Sequence, residues 1–287
     1  VAALAAAEHI GDRLRVGTVR ERTATYTSYD VTYRARTGPQ TLTISGVLNV
    51  PSGRGPFPAV VLAHGYIDPA VYDRGQGMTR ERGVLASRGY IALHVDYRGH
   101  AESTDDPRSD TDLRLGYSAD VVAAVKALRA SRQVPVDDDR IALMGRSMGG
   151  GVVMKALIAE PGLVQAASLW ASVSSLEGEN FDQFIRDDRD ARQSAIVRAH
   201  GLPEQRPAFW RAASARPYLD RITEPVLIVH GRFDDICPPR WARATQAAMR
   251  RAGVDSTLEW YDDGHAFGPA FDAGMDRTIR YFDRRLG

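Results

Sequence analysis

The chain has 287 residues, 44% hydrophobic and 25% charged, with a formal net charge of +1. That is an ordinary globular composition with enough chain for a substantial core, and a charge so near zero gives no electrostatic basis for binding nucleic acid or an anionic membrane. A single cysteine, Cys237, excludes an internal disulfide and argues against a cysteine-based metal site; no run of about 18 apolar residues is present to span a membrane.

The opening stretch VAALAAAEHIGDRL is Ala-rich and lacks a leading Met. It reads as either a processed or a trimmed end, with a secreted or cell-envelope location slightly favoured. TATYTSYDVTYRAR (23–36) and TLTISGVLNVP (41–51) alternate with β-branched and aromatic residues and predict two antiparallel strands. AVVLAHG (59–65) is a short continuous apolar run ending in glycine, the signature of a buried parallel strand. The same signature recurs in YIALHVDYRGH (90–100), RIALMGRS (140–147), QAASLWASVS (165–174), PVLIVHGRFD (225–234) and STLEWYDDGH (256–265). Helical periodicity fills the gaps at 116–131, 149–160, 238–253 and 272–287. Alternating strand and helix over about 200 residues predicts an α/β fold: a mostly parallel sheet with helices on both faces and its chemistry beyond the C-terminal strand ends.

One stretch breaks the alternation. Residues 176–217 carry Phe181, Phe184 and Ile185 at helical spacing, with Arg and Asp opposite. This predicts a helical insertion after the sixth core strand, either ordinary surface helices or a cap over a substrate pocket, within a single domain spanning 1–287.

The strand ends hold the chemistry-bearing residues. Ser147 lies in Gly145-Arg146-Ser147-Met148-Gly149, between a strand and a helix. A bare G-x-S-x-G is weak evidence, but a tight strand-to-helix turn needs small neighbours and lifts the serine clear of the sheet at the positive end of a helix. A serine hydroxyl needs a base, and the base an orienting carboxylate. Of the seven histidines, His265 follows the last strand, whereas His94 and His230 lie within or at the end of apolar strands and His9 and His200 in polar flanks. Asp234 follows the strand 226–229, with Asp235 its immediate rival. The order Ser147, Asp234, His265 is that of an α/β-hydrolase. His64-Gly65-Tyr66 ends the strand at 59–65, so the backbone N–H groups of Tyr66 and Met148 are the expected oxyanion donors, with the His64 ring bonded to the loop. Trp170, Phe267 and, from the insertion, Trp210 are expected beside Tyr66 as pocket aromatics. Lys126 and Lys155 are the only lysines among 37 basic residues, and both fall in core-facing helical stretches, which disfavours Schiff-base chemistry.

Taken together, LAHGY, DYRGHAES, GRSMGG, PVLIVHGRFDDICPP and GHAF, in that order, resemble the α/β-hydrolase superfamily. They are most similar to the branch of prolyl-oligopeptidase-type catalytic domains, dienelactone-hydrolase-like proteins and related esterases. The resemblance runs from about Thr41 onward and is poorly specific for substrate. It implies Ser147 as nucleophile, His265 as general base and Asp234 as orienting carboxylate, with Asp96, Arg98 and Gly99 in a structural turn; Ala101 stands where relatives often have glycine. Prolyl-oligopeptidase-type peptidases usually carry a β-propeller of at least four blades, at about 40–50 residues each. The 40 residues before Thr41 are too few for one, which moves the expectation from peptidase to serine esterase, by analogy. The substrate is expected to be a small-molecule or polymer-attached ester. No metal or organic cofactor is expected: Walker A, H-E-x-x-H and G-x-G-x-x-G patterns are all missing. Peptidase or amidase, thioesterase, lactonase or acyltransferase, and a non-catalytic binding protein remain as alternatives; the sequence leaves oligomeric state open.

Overall fold

In the computed structural model, which describes residues 1–188 and 190–287, a short helix α1 (Ala2–Ala6) leads into three long antiparallel strands, β1 (His9–Arg22), β2 (Tyr26–Thr37) and β3 (Gln40–Pro51). Then strands and helices alternate: β4 (Phe57–Ala63), α2 (Thr79–Ser87), β5 (Ile91–Val95), α3 (Leu115–Arg129), β6 (Val136–Arg146), α4 (Met148–Ala159) and β7 (Ala166–Trp170). Helices α5 (Glu177–Phe184), α6 (Ala191–His200) and α7 (Pro207–Ala213) interrupt this rhythm. It resumes with β8 (Val226–Gly231), α8 (Pro239–Arg251), β9 (Ser256–Tyr261) and α9 (Phe271–Leu286).

The strands form one sheet in the order β1-β2-β3-β5-β4-β6-β7-β8-β9. β3 pairs antiparallel with β5, and every pairing beyond that is parallel. Alternation along a strand divides the core in two. Ala59, Val61 and Ala63 of β4 face α3, α4 and α8, while Val60 and Leu62 face α2 and α9. The mostly parallel α/β architecture and the helical insertion are as the sequence indicates. Among the described residues the insertion follows β7, the seventh strand, because the antiparallel flank has three strands rather than two.

β1 escapes sequence reading because half of its GDRLRVGTVRER stretch is charged. Its second half is exposed and its register with β2 slips at several points, so the apolar alternation that marks a strand is lost. What fixes it is close packing: a Cβ on Gly11 would lie 1.7 Å from the Ala123 carbonyl oxygen of α3.

Backbone strain is distributed unevenly. Nine non-glycine residues among those described have positive φ, and eight of them lie between the end of a parallel strand and the next helix: Met78, Tyr97, Ala101, Leu113, Arg114, Ser147, Ala171 and Phe267. The exception is Arg13, within β1.

Candidate active site

Ser147 sits between β6 and α4 with φ 56° and ψ −122°, a conformation that L side chains rarely adopt. Three backbone bonds hold it there: its N–H donates to the Trp170 carbonyl (2.9 Å), and its own carbonyl accepts from the N–H groups of Gly150 (3.0 Å) and Val173 (3.2 Å). The glycines flanking it are required by contact. A Cβ on Gly149 would lie 1.9 Å from the Ala63 carbonyl oxygen, and one on Gly145 would lie 2.2 Å from that of Gly149. The turn therefore brings α4 hard against the end of β4 and raises the hydroxyl above the sheet.

His265, on the loop after β9, places Nε2 3.1 Å from Ser147 Oγ. Its Nδ1 lies 2.9 Å and 3.1 Å from the two carboxylate oxygens of Asp234. Asp234 is buried and also accepts from the N–H groups of Ile236 (3.0 Å) and Cys237 (2.8 Å), so its carboxylate is fixed as an acceptor. Its neighbour Asp235 is exposed, and of the two it is Asp234 that meets the His265 ring. Burial holds the adjacent His230 below its usual range, and its Nε2 lies 2.8 Å from the Cys237 carbonyl, so it braces the loop as a neutral ring.

The loop after β4 completes the arrangement. His64 is fully buried; burial first, then neighbouring His94 and His100, lower its pKa to about 3. The neutral ring lies with Nδ1 2.6 Å from the Gly65 carbonyl, which pins the backbone one residue before Tyr66. The N–H groups of Tyr66 and Met148 have no acceptor among the described residues, Met148 because it opens a helix.

A pocket of about 390 Å³ opens onto Ser147 and His265. Tyr66 and Met148 line it, but the three other aromatics expected there do not. Trp170 is fully buried on the α2/α9 face of the sheet, donating from Nε1 to Thr278 Oγ1 (3.1 Å). Phe267 is likewise buried, its ring 4.8 Å from that of Trp170. Trp210 faces Phe181 inside the small core of the insertion. The expectation that these three line the pocket is thus corrected. Nearness in sequence to Ser147 or His265 does not decide which face of the sheet a side chain takes, and on β7 the parity of position 170 sends it to the opposite face.

Other side chains build the walls. Phe184 and Ile185 come from the end of α5, and the Lys155–Glu177 ion pair (2.8 Å) joins α4 to that helix. Sequence reasoning also passed over Arg146, the second residue of the G-x-S-x-G. Its guanidinium pairs with buried Glu81 (3.1 Å) and donates to the His265 carbonyl (3.0 Å), while Arg80 donates to the carbonyls of Ala266 and Phe267. Two arginines therefore clamp the histidine loop to α2. Among the described residues no cluster of His, Cys, Asp and Glu has metal-binding geometry, and no helix is long and apolar enough to cross a membrane.

Residues 77–286 match the model of the prolyl oligopeptidase family. The chain belongs to that family. Among characterised relatives, it is 27% identical over 189 residues to the 2,6-dihydropseudooxynicotine hydrolase of Paenarthrobacter nicotinovorans, covering 66% of this chain and 47% of that one. The chain thus spans about half the length of that relative. Among solved structures, an acetyl xylan esterase from Paenibacillus sp. R4 superposes with a TM-score of 0.70 at 21% identity, over 99% of this chain and 92% of that one. A puromycin-hydrolyzing peptidase of Mycobacterium tuberculosis superposes at 0.66 and 18% identity, over 96% of this chain but 46% of that one. These likenesses establish the α/β-hydrolase fold.

Proposed function

We propose that the protein is a serine hydrolase that cleaves carboxylic esters through an acyl-enzyme. The observation that carries this reading is the continuous contact from Asp234 through His265 to a strained, raised Ser147 at the wall of a pocket. Ser147 Oγ attacks the ester carbonyl carbon while His265 Nε2 takes the hydroxyl proton. The oxygen of the tetrahedral intermediate gains a negative charge and accepts hydrogen bonds from the N–H groups of Tyr66 and Met148; one such donor typically contributes about 3–4 kcal/mol. The bond to the leaving oxygen then breaks as His265 returns its proton to the alcohol. Water repeats the sequence on the acyl-enzyme, giving the acid and free Ser147. Asp234 holds the imidazole tautomer and stabilises the imidazolium, remaining ionised throughout.

The helices of 176–217 act in this reading as a cap, because Phe184 and Ile185 close one side of the pocket. Cleavage of peptides is the second reading, favoured by the family to which the chain belongs. Esters are preferred because Glu177 is the one carboxylate lining the pocket among the described residues, and Lys155 already occupies it. No free acid is left there for a peptide amine.

The test is hydrolysis of p-nitrophenyl esters from acetate to decanoate, alongside a peptide p-nitroanilide, by wild type and Ser147→Ala. Loss of the full triad function costs about 10⁶-fold in kcat in a related chemistry, so the alanine variant should fall to background. Anilide cleavage without ester cleavage favours the peptidase reading; an active alanine variant sinks both.

A further inference from the structure

The pocket carries a cation that the triad does not use. Arg114 lines the pocket, half-buried, immediately before α3. Its guanidinium lies 4.5 Å above the Tyr66 ring and donates from Nη1 to the Met148 sulfur at 3.5 Å. Thioether sulfur is a weak acceptor. Among the described residues no carboxylate lies within 4.0 Å of Arg114, although most of the arginines around it are paired. Tyr66 and Met148, both touched by Arg114, are the residues whose N–H groups the proposed mechanism directs at the oxyanion.

Two further observations mark this as a built feature. Leu113 and Arg114 have consecutive positive φ values, 54° and 59°, each costing about 1 kcal/mol or more for a side chain with a Cβ. Arg192 of α6 approaches the same Tyr66 ring, at 5.3 Å, and its buried Nε has no acceptor among the described residues, although its Nη2 is paired with Asp188. The ring is thus in contact with two guanidinium groups, both at the pocket wall. The remaining wall here is aliphatic, from Leu113, Val152, Ile185 and Ile236.

We infer that Arg114, with Arg192 beside it, is a specificity-determining residue that receives a carboxylate on the substrate. A guanidinium presents paired in-plane donors that match a carboxylate's two oxygens, and partial burial strengthens the contact. An aliphatic wall next to it selects a methylene chain. The substrate class is an ester whose acyl part ends in a free carboxylate, a half-ester of an aliphatic dicarboxylic acid. This inference rests on the ester-hydrolase reading of Ser147.

The experiment compares monoethyl glutarate and monoethyl adipate with ethyl valerate and ethyl hexanoate in a pH-stat, using wild type, Arg114→Gln and Arg114→Lys. A charged hydrogen bond made to the substrate predicts a wild-type preference for the half-esters of about 10- to 100-fold in kcat/KM. Arg114→Gln should abolish the preference, bringing the ratio of half-ester to neutral-ester kcat/KM to about one chiefly through KM for the half-esters, and Arg114→Lys should restore part of it. Equal loss on neutral and anionic esters would mean that Arg114 merely supports the Tyr66 loop and would overturn the inference, as would the lack of any wild-type preference. Calorimetric binding of glutarate to Ser147→Ala, with and without Arg114→Gln, separates the two layers. If the Ser147 reading fails, Arg114-dependent glutarate binding still supports the carboxylate site; binding that ignores Arg114 overturns it.

Discussion

At the scale of single residues, the site depends on side chains whose direction is set by backbone constraints. Asp234 and Asp235 are chemically identical in sequence, yet only the first is turned inward, because the N–H groups of Ile236 and Cys237 curl back to meet it. Trp170 shows the same dependence in reverse. It is one residue from the catalytic edge of the sheet, but its indole packs against Phe267 and within 2.6 Å of where a Cβ on Gly274 would stand. Trp170→Phe should therefore cost about 1–3 kcal/mol in stability through the lost Thr278 bond and a partial cavity. The ester chain-length profile should be unchanged. Parallel urea titrations and ester assays check this; an altered profile at unchanged stability would return Trp170 to the pocket.

At the scale of elements, the parallel strands and helices α3, α4, α8 and α9 were legible because each signal was local: a continuous apolar run for a strand, a 3.6-residue period for a helix; α2, between β4 and β5, was not read from the sequence. The same signals put Ser147, Asp234 and His265 at strand ends, where the structure brings their side chains into contact. β1 was not legible, as its place is decided by α3 lying on Gly11, a contact across more than 100 residues. The walls of the pocket were hidden for a related reason. They come from α5 and the turn before α3, elements whose orientation depends on packing between segments remote in sequence. The insertion has its own core, in which Phe181, Ile196 and Trp210 meet Leu113. Trp210→Ala should cost about 3–5 kcal/mol there. Because that core is separate from the two flanking the sheet, the loss should appear as faster amide exchange confined to about 177–213. Equal acceleration in β4, β6 and β8 would show that the insertion is not an independent unit.

At the scale of the whole molecule, buried carboxylates shape the dependence of stability on pH. Burial pushes Asp96 upward, but the His94 ring 3.5 Å away and hydrogen bonds from Ser45 and Tyr72 outweigh it and hold the group at about 2, below its ordinary 3.8. Asp106 is likewise held at about 2: burial opposes, while Gln40, the Arg108 N–H and Arg98 prevail. Both contribute stability above pH 4 that is lost as pH falls towards 2. Asp112 has the opposite sign. Burial raises it to about 6, so it detracts from stability as pH rises from about 4 to 6. The urea midpoint should therefore climb steeply between pH 2 and 4 and decline mildly towards 6, and Asp112→Asn should remove the decline. A midpoint flat below pH 4 would contradict this assignment.

The concentration of positive φ angles at one end of the sheet has a further consequence, for how this molecule can be altered. Among the described residues, eight of the nine non-glycine residues with positive φ stand beyond the ends of parallel strands, on the side of Ser147 and His265, and the opposite end is almost free of them. Conformational cost and catalytic precision are thus spatially joined, so changes that relax the first will tend to erode the second. The opposite end has no such conflict. Its turns, such as those at Gly162 and Gly253, have open space around them and no part in the site. Robustness and reactivity occupy different ends of the same sheet, and either can be tuned with little effect on the other.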